Sequence, residues 1–181
     1  LLARFGYAKV SLPGGCAIGA RPVDLHIGAL EKMGANIKIK DGYVIAKGKL
    51  KGANIHFKKI SVGATQNVMM AATLAEGDTT IKNAATEPEI TDLANSLTKM
   101  GAKIDGIGTS QLKITGIKKL NSVKHHIMPD RIEAGSYAIM AAITNGSIKM
   151  SGVGLDIFNE KLITKLNQAG VEIKNVGNNI I

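Results

Sequence analysis

The sequence contains no tryptophan and few other aromatic residues, which together make up 3% of its 181 residues. With so few rings there is little on which single-stranded bases could stack. The formal net charge is +9, but the lysines are scattered in ones and twos rather than massed in one segment. The composition therefore argues against nucleic acid as a partner and suits small anionic ligands instead.

Cysteine is equally scarce. Cys16 is the only one, so an internal disulfide is excluded. This suits a reducing cytoplasm. None of the four histidines pairs with cysteine at the spacing typical of zinc sites. No run approaches the roughly 18 apolar residues of a membrane span, and no basic-then-apolar segment resembles a signal peptide. These absences predict a cytoplasmic protein with no membrane association, no metal and no cofactor.

The single cysteine lies in a glycine-rich stretch, residues 11–26, where the backbone can bend freely. Arg21 follows Cys16 closely, and Pro22 is predicted to occupy the first position of a helix over residues 22–33. The guanidinium and the helix N–H groups would attract an anion and lower the pKa of a nearby thiol. Cys16 is therefore a candidate reactive thiol, with a small buried hydrophobe as the alternative.

An internal repeat organises the rest of the chain. Lys-Met-Gly-Ala at residues 32–35 recurs at residues 99–102, which is 67 residues later. In each copy the glycine ends a predicted amphipathic helix, and a β-hairpin signal follows it. A weaker third copy ends a helix predicted over about residues 155–169. Repeated units of this kind predict a layered α/β domain with approximate rotational symmetry.

A second type of helix, rich in alanine and methionine, also repeats. It is predicted over residues 64–75 and again over residues 132–144, and it carries almost no charge. Such a helix is expected to be buried on most sides. Met69 and Met70 are accordingly predicted to pack in the core.

Residues 13–26 read Pro-Gly-Gly-Cys-Ala-Ile-Gly-Ala-Arg-Pro-Val-Asp-Leu-His. They resemble the catalytic loop of the UDP-N-acetylglucosamine enolpyruvyltransferases, which perform the first committed step of peptidoglycan synthesis. The resemblance implies an α/β (α+β) fold, an inside-out α/β barrel built from βαβαββ units of about 68 residues. The related shikimate-pathway enzyme shares this fold, but the Gly-Gly-Cys loop points away from it.

The resemblance covers the whole chain but only part of the family's chain. The family's N-terminal Lys-Asn pair, and its C-terminal half with an aspartate base, have no counterpart here. We therefore expect residues 1–124 to form most of the first, catalytic-loop domain, and residues 125–181 to form the passage and the start of the second. The remainder of the two-domain enzyme is the implied partner, and the 181-residue chain alone is expected not to catalyse the reaction.

The resemblance also implies residue roles in the transfer of enolpyruvate from phosphoenolpyruvate to the sugar 3-hydroxyl. Cys16 matches the family's thiol, which donates a proton, forms a covalent phosphoenolpyruvate adduct and is alkylated by fosfomycin. Two segments match those that bind the nucleotide sugar: Arg21, Pro22, Val23, Asp24 and Leu25, and then Lys59, Ile60, Ser61 and Val62. Weaker matches are Glu87, Asp130 and Arg131.

Each of these assignments has a plainer alternative. Asp24 would complement the dipole of a helix start, Ser61 would cap a helix, and Lys59 would be a solvated surface lysine. His26 is open between a structural and a binding role. For the whole chain, the alternative is a non-catalytic module that binds a nucleotide or nucleic acid on the same repeat scaffold.

Overall fold

The computed structural model describes residues 1–14, 22–177 and 179–180. Within them the helices are α1 (Leu2–Phe5), α2 (Asp24–Lys32), α3 (Val62–Ala72), α4 (Pro88–Lys99), α5 (Arg131–Ile143) and α6 (Glu160–Gln168), with a short 3-10 turn at Leu155–Ile157. The strands are β1 (Tyr7–Ser11), β2 (Asn36–Lys40), β3 (Tyr43–Lys47), β4 (Asn54–His56), β5 (Asp78–Lys82), β6 (Lys103–Asp105), β7 (Gln111–Thr115), β8 (Met150–Ser151), β9 (Asn175–Val176) and β10 (Asn179–Ile180). Among these helices, none is long and apolar enough to cross a membrane.

The chain divides into two compact units, Leu1–His125 and His126–Ile181. The first unit contains one complete βαβαββ repeat, which runs from β4 through α3, β5, α4 and β6 to β7. Its sheet has the order β4-β5-β7-β6, with β4 parallel to β5 and the other pairs antiparallel. The repeat predicted from the spacing of residues 34 and 101 is therefore a structural unit.

The same arrangement occurs twice more in partial form. The sheet β1-β3-β2 of the first unit and the sheet β8-β10-β9 of the second share the strand order of β5-β7-β6. The predicted Asp41-Gly42 turn joins β2 to β3, and both turn residues have positive φ (52° and 75°). Asp-Gly suits this turn because both residues tolerate the left-handed region.

Helix α3 lies at the centre of the first unit's core. Its buried side chains pack with Ile81 and Ile114 from the neighbouring sheet and with Ile90 from α4. Ser61 caps the helix, since the Ala64 N–H donates to the Ser61 Oγ at 3.2 Å. The expected buried alanine- and methionine-rich helix is thus present here, with Met69 fully buried.

Four expectations about the helices are wrong. Met70 is 46% exposed rather than in the core, because it faces away from the sheets and helices that enclose Met69. Helix α5 is not buried on most sides within the second unit, where Ile132 and Ile143 are exposed. The predicted helix over residues 155–169 is split, because Asn159 is extended and its Oδ1 caps α6 by accepting from the Lys161 N–H at 2.7 Å.

Helix α2 also begins later than predicted. Pro22 precedes the helix, Val23 is the N-cap, and Asp24 is the first helical residue. The Val23 side chain offers no acceptor for the free N–H groups, so the Asp24 carboxylate is the group in the first turn that complements the dipole. By contrast, Pro88 stands at the start of α4 as predicted.

Candidate functional site

The predicted reactive thiol and its arginine lie outside the described residues, since residues 15–21 are not described. The rest of the first binding segment is at the beginning of α2. Pro22 and Asp24 are exposed, Val23 is half-buried, and Leu25 packs against the core of the first unit. Asp24 lies at the surface while Leu25 packs beneath it, and this packing fixes the position of the start of α2.

The second predicted segment forms the entrance to α3. Lys59 and Ile60 are exposed, with Ile60 at 62%, while Ser61 is the N-cap and Val62 the first residue of the helix. The capping alternative for Ser61 is therefore confirmed. A capping serine still leaves several N–H groups of the first turn without an intrahelical partner, so binding is compatible with it.

A buried hydrogen-bond chain ties the start of α3 to the start of α4. The Thr65 hydroxyl donates to the Ser61 carbonyl at 2.8 Å and accepts from the Ala85 N–H at 3.0 Å. Ala85 lies two residues before Glu87, the N-cap of α4. Thr65 thus fixes the separation between the predicted binding segment and the weaker candidate Glu87, whose Oε2 is buried without a hydrogen-bond partner among the described residues.

A second polar contact ties the start of α2 to α3. The His26 Nδ1 and the Asn67 Nδ2 are 3.0 Å apart. The His26 ring also lies against Gly63, where a Cβ would be 3.5 Å from the ring Cε1. Burial lowers the pKa of His26, and the nearby Asp24 carboxylate opposes this effect. A neutral ring accepts from the Asn67 amide, so the contact and the pKa shift agree.

A surface groove of about 270 Å³ runs beside the first predicted segment. One wall is α2 from its start, including Asp24 and Leu25. The other wall is β4 and the residues after it, including His56 and Lys58. Lys58 immediately precedes Lys59, so this wall ends one residue before the second predicted nucleotide-sugar segment.

The electrostatics of this region favour an anion. The N-terminal end of α3 carries free N–H groups and the positive end of a helix dipole with no acidic residue in its first turn, whereas Asp24 and Glu89 already complement the dipoles of α2 and α4. Lys32 and Lys58 line the groove, and Lys59 stands beside it. Helix α3 has no ionisable side chain to oppose these charges. Phosphate groups are the ligands that helix N-termini and lysines hold most readily.

The remaining two candidates belong to the second unit. Asp130 caps α5, because its Oδ1 accepts from the N–H groups of Ile132 at 2.8 Å and Glu133 at 3.1 Å. Arg131 is the first residue of that helix and is half-buried. Capping accounts for the aspartate without any role in binding.

No metal site is formed by the residues that the structure describes, since no three His, Cys, Asp or Glu side chains cluster among them. The adjacent histidines at residues 125 and 126 were expected not to bind metal. The His125 Nε2 contacts the Asp92 carboxylate at 3.0 Å instead, which ties the end of the first unit to α4.

Sequence reasoning missed Thr65 and Asn67. Both are polar residues in a helix that is otherwise made of alanine, methionine, valine, one glycine and Gln66. A polar side chain in a helix expected to be buried needs a hydrogen-bond partner. That requirement could have identified both residues, although not their partners, which lie 20 and 41 positions away along the chain.

Comparison with known proteins gives a consistent result. The family model described as EPSP synthase (3-phosphoshikimate 1-carboxyvinyltransferase) matches residues 1–181. A UDP-N-acetylglucosamine 1-carboxyvinyltransferase of Geotalea uraniireducens is 58% identical over 179 residues, which are 98% of this chain and 43% of that protein. One of Paramagnetospirillum magneticum is 57% identical over 176 residues, which are 96% of this chain and 40% of that protein. The chain thus spans about two fifths of the length of these relatives.

Among solved structures, the enolpyruvyl transferase NikO from Streptomyces tendae superposes with a TM-score of 0.80 at 20% identity. The similarity covers 99% of this chain and 44% of that one. At this identity the likeness establishes the fold. The expected enolpyruvyltransferase-type α/β fold is confirmed.

Proposed function

The chain belongs to the EPSP synthase family of enolpyruvyltransferases, and from this premise we propose that it is the catalytic-loop part of a UDP-N-acetylglucosamine 1-carboxyvinyltransferase. The complete enzyme transfers the enolpyruvyl group of phosphoenolpyruvate to the 3-hydroxyl of UDP-N-acetylglucosamine and releases phosphate. It acts in the cytoplasm, in the first committed step of peptidoglycan synthesis. Its partners are these two small molecules and the remainder of its own two-domain fold.

The observation that supports this proposal is the position of the groove relative to the two segments. The start of α2 lines the groove with Asp24 and Leu25, and the opposite wall ends at Lys58, directly before the second segment, Lys59 through Val62, at the entrance to α3. Between them the helix N-termini and lysines favour a diphosphate. The backbone and side chains of Val23, Asp24 and Leu25 would hold the uracil end. Arg21 would pair with phosphate oxygens, for which its planar fork is suited.

The chemistry is an addition followed by an elimination. In the addition, the sugar O3 bonds to C2 of phosphoenolpyruvate, the hydroxyl proton passes to a base, and C3 gains a proton from the Cys16 thiol. In the elimination, C3 loses a proton, the double bond re-forms and the C2–O bond to phosphate breaks. A thiol of near-neutral pKa can both donate and accept a proton at the working pH. The base is an aspartate of the C-terminal half, by the family resemblance.

The two units have different parts in this proposal. Residues 1–124 form most of the domain that binds the nucleotide sugar and carries the thiol. Residues 125–181 form the passage and the start of the second domain, where Asp130 and Arg131 serve the structure of α5 and loop contacts rather than the chemistry. The 181-residue chain alone is proposed to bind no complete set of reactants and to release no phosphate.

Mass spectrometry of the native protein tests the proposal. The 181 residues correspond to 19.0 kDa, and we expect the native chain to be heavier. With UDP-N-acetylglucosamine present, fosfomycin should add once per chain, and the Cys16→Ser variant should gain nothing. Phosphate release from phosphoenolpyruvate should require the nucleotide sugar.

Two results would contradict the proposal. One is an active native protein that fosfomycin leaves unmodified. The other is salt-dependent binding of nucleic acid with no preference for UDP-sugars, which would favour the non-catalytic module. Measurable phosphate release by the 181-residue chain alone would refute the statement that it is incomplete.

A further inference from the structure

We propose that His26 and Asn67 form a positioning pair that keeps the two proposed nucleotide-sugar segments at a fixed position relative to each other. This inference rests on the proposed function and extends it to two residues outside the predicted site. His26 is two residues after Asp24 in the first turn of α2. Asn67 is on α3, six residues after Ser61. Its contact with His26 is a side-chain hydrogen bond that joins α2 near its start to the first half of α3.

The atoms in contact show which side chain donates the hydrogen bond and which accepts it. Asn67 Nδ2 donates to His26 Nδ1 at 3.0 Å, so the ring is neutral and its proton is on Nε2. Burial lowers the pKa of His26 and favours that neutral form, while the Asp24 carboxylate opposes it. Helix α3 presents no ionisable group to the ring, and β4 contributes only His56 to the groove nearby. The hydrogen bond therefore holds one tautomer and one ring orientation.

The ring also faces the beginning of α3. A Cβ on Gly63 would lie 3.5 Å from the ring Cε1 and 3.7 Å from Nε2, which is ordinary van der Waals distance. Gly63 is the second residue of the helix, next to Val62. Because the glycine leaves this space open, the hydrogen bond to Asn67 is the contact that fixes the ring relative to the first turn of α3.

The repeat shows that the fold itself does not need this polar pair. Counted back from the shared Lys-Met-Gly-Ala, the position of His26 in α2 corresponds to Leu93 in α4. Leu93 packs against the apolar core of the first unit. An apolar residue thus suffices at this position in the second repeat. The polar pair occurs in the copy that carries the predicted binding segment, which indicates a role in the site.

The test uses the full-length native enzyme and the variant Asn67→Ala. Losing the hydrogen bond should raise the KM for UDP-N-acetylglucosamine about tenfold and change kcat less than about twofold, since ground-state and transition-state binding weaken together. Asn95→Ala is the matched control, because Asn95 is an exposed asparagine in the middle of α4. It should leave both constants unchanged.

A spectroscopic measurement separates positioning from general damage to the fold. In ¹⁵N-histidine-labelled wild type, the His26 ring should be neutral with its proton on Nε2 at pH 7. Asn67→Asp should convert it to the imidazolium, because the new carboxylate accepts from Nδ1–H and raises the pKa of His26. The pair is then retained with altered charge, and the KM should fall between those of wild type and Asn67→Ala.

The outcomes distinguish this inference from the proposed function. If wild type does not bind UDP-N-acetylglucosamine, the proposed function is wrong and the inference falls with it. If wild type binds but Asn67→Ala keeps its KM within about twofold of Asn95→Ala, only the positioning role is overturned. An Asn67→Asp variant that folds but leaves His26 neutral would equally overturn it, because the contact would then not exist in solution.

Discussion

Helices α3 and α5 occupy the same place in successive repeats, yet their surroundings differ. Aligned on Gly77 and Gly146, Met69 corresponds to Ala138 and Met70 to Ile139. Met69 and Ala138 are both buried, whereas Met70 and Ile139 are both about half exposed. Val68, however, is fully buried while its counterpart Tyr137 is 43% exposed. The two helices share one buried face and differ on another.

The difference shows what the alanine- and methionine-rich pattern specifies. In the first unit α3 is enclosed by α2, α4 and the strands β5 and β7. In the second unit the described residues pack against one side of α5, where Phe158 and Leu162 approach Gly135. An uncharged helix has no intrinsic polar face, so its burial depends on how many neighbours surround it. The pattern predicts the type of helix, and the neighbours determine its exposure.

The largest expected effect comes from truncating one methionine in each of the two helices. Met69→Ala removes a fully buried side chain and should lower the free energy of unfolding by about 2–5 kcal/mol. Met140→Ala, on the bare side of α5, should change it by less than about 0.5 kcal/mol. Urea denaturation of the 181-residue chain measures both. Equal losses would mean that α5 is as enclosed as α3.

A smaller effect should follow from removing the buried hydroxyl that α3 has and α5 lacks. Thr65→Val keeps the volume but leaves the buried Ala85 N–H without its acceptor, which should cost about 1–3 kcal/mol. Thr144→Val is the control, since Thr144 is exposed and bonds only within α5. Thermal unfolding should separate the two variants. A Thr65→Val protein as stable as its control would show that the hydrogen bond between Ala85 and Thr65 contributes nothing to stability.

Removing the N-caps of α3 and α5 should lower stability by similar amounts but should affect ligand binding differently. Ser61→Ala and Asp130→Ala each remove an N-cap and should each cost about 1 kcal/mol. In the full-length enzyme only Ser61→Ala should also weaken UDP-N-acetylglucosamine binding, by several-fold, because Ser61 is in a proposed binding segment. Calorimetric titration measures this. An equal loss of affinity in Asp130→Ala would mean that α5 takes part in binding, contrary to the proposed structural role of Asp130.

The smallest expected effect is on the pH dependence of stability. Burial depresses the pKa of His26 below 6.5 in the folded state, so the unfolded chain binds more protons just below pH 6.5. Stability should therefore decline as the pH falls from neutrality through 6.5, and His26→Asn should reduce this decline. His56→Asn is the control, because His56 is exposed. Identical pH profiles for wild type and His26→Asn would contradict the burial of the ring.

Several features were predictable because they depend on short-range signals. The repeat, the Asp41-Gly42 hairpin, the Ser61 cap and the start of α4 at Pro88 all follow from local chain geometry. The family resemblance rested on an ordered run of residues at 13–26 and is confirmed by relatives that are 57–58% identical. These signals identified the fold, and they predict the two binding segments.

Other features depend on distant parts of the chain and were not predictable. The exposure of Met70 and of one side of α5 to solvent depends on tertiary neighbours. The partners of Thr65 and Asn67 become neighbours only when α2, α3 and α4 pack together. The roles of the residues in the two segments stay predictions until a ligand is seen there.

A crystal structure of the full-length enzyme with UDP-N-acetylglucosamine tests the central claim most directly. We expect the uracil beside Asp24 and Leu25, and the diphosphate within hydrogen-bond distance of the first turn of α3 near Ser61 and Val62. The His26–Asn67 hydrogen bond should be intact beneath the nucleotide. A nucleotide sugar bound away from the groove between α2 and β4, or contacting neither helix start, would contradict it.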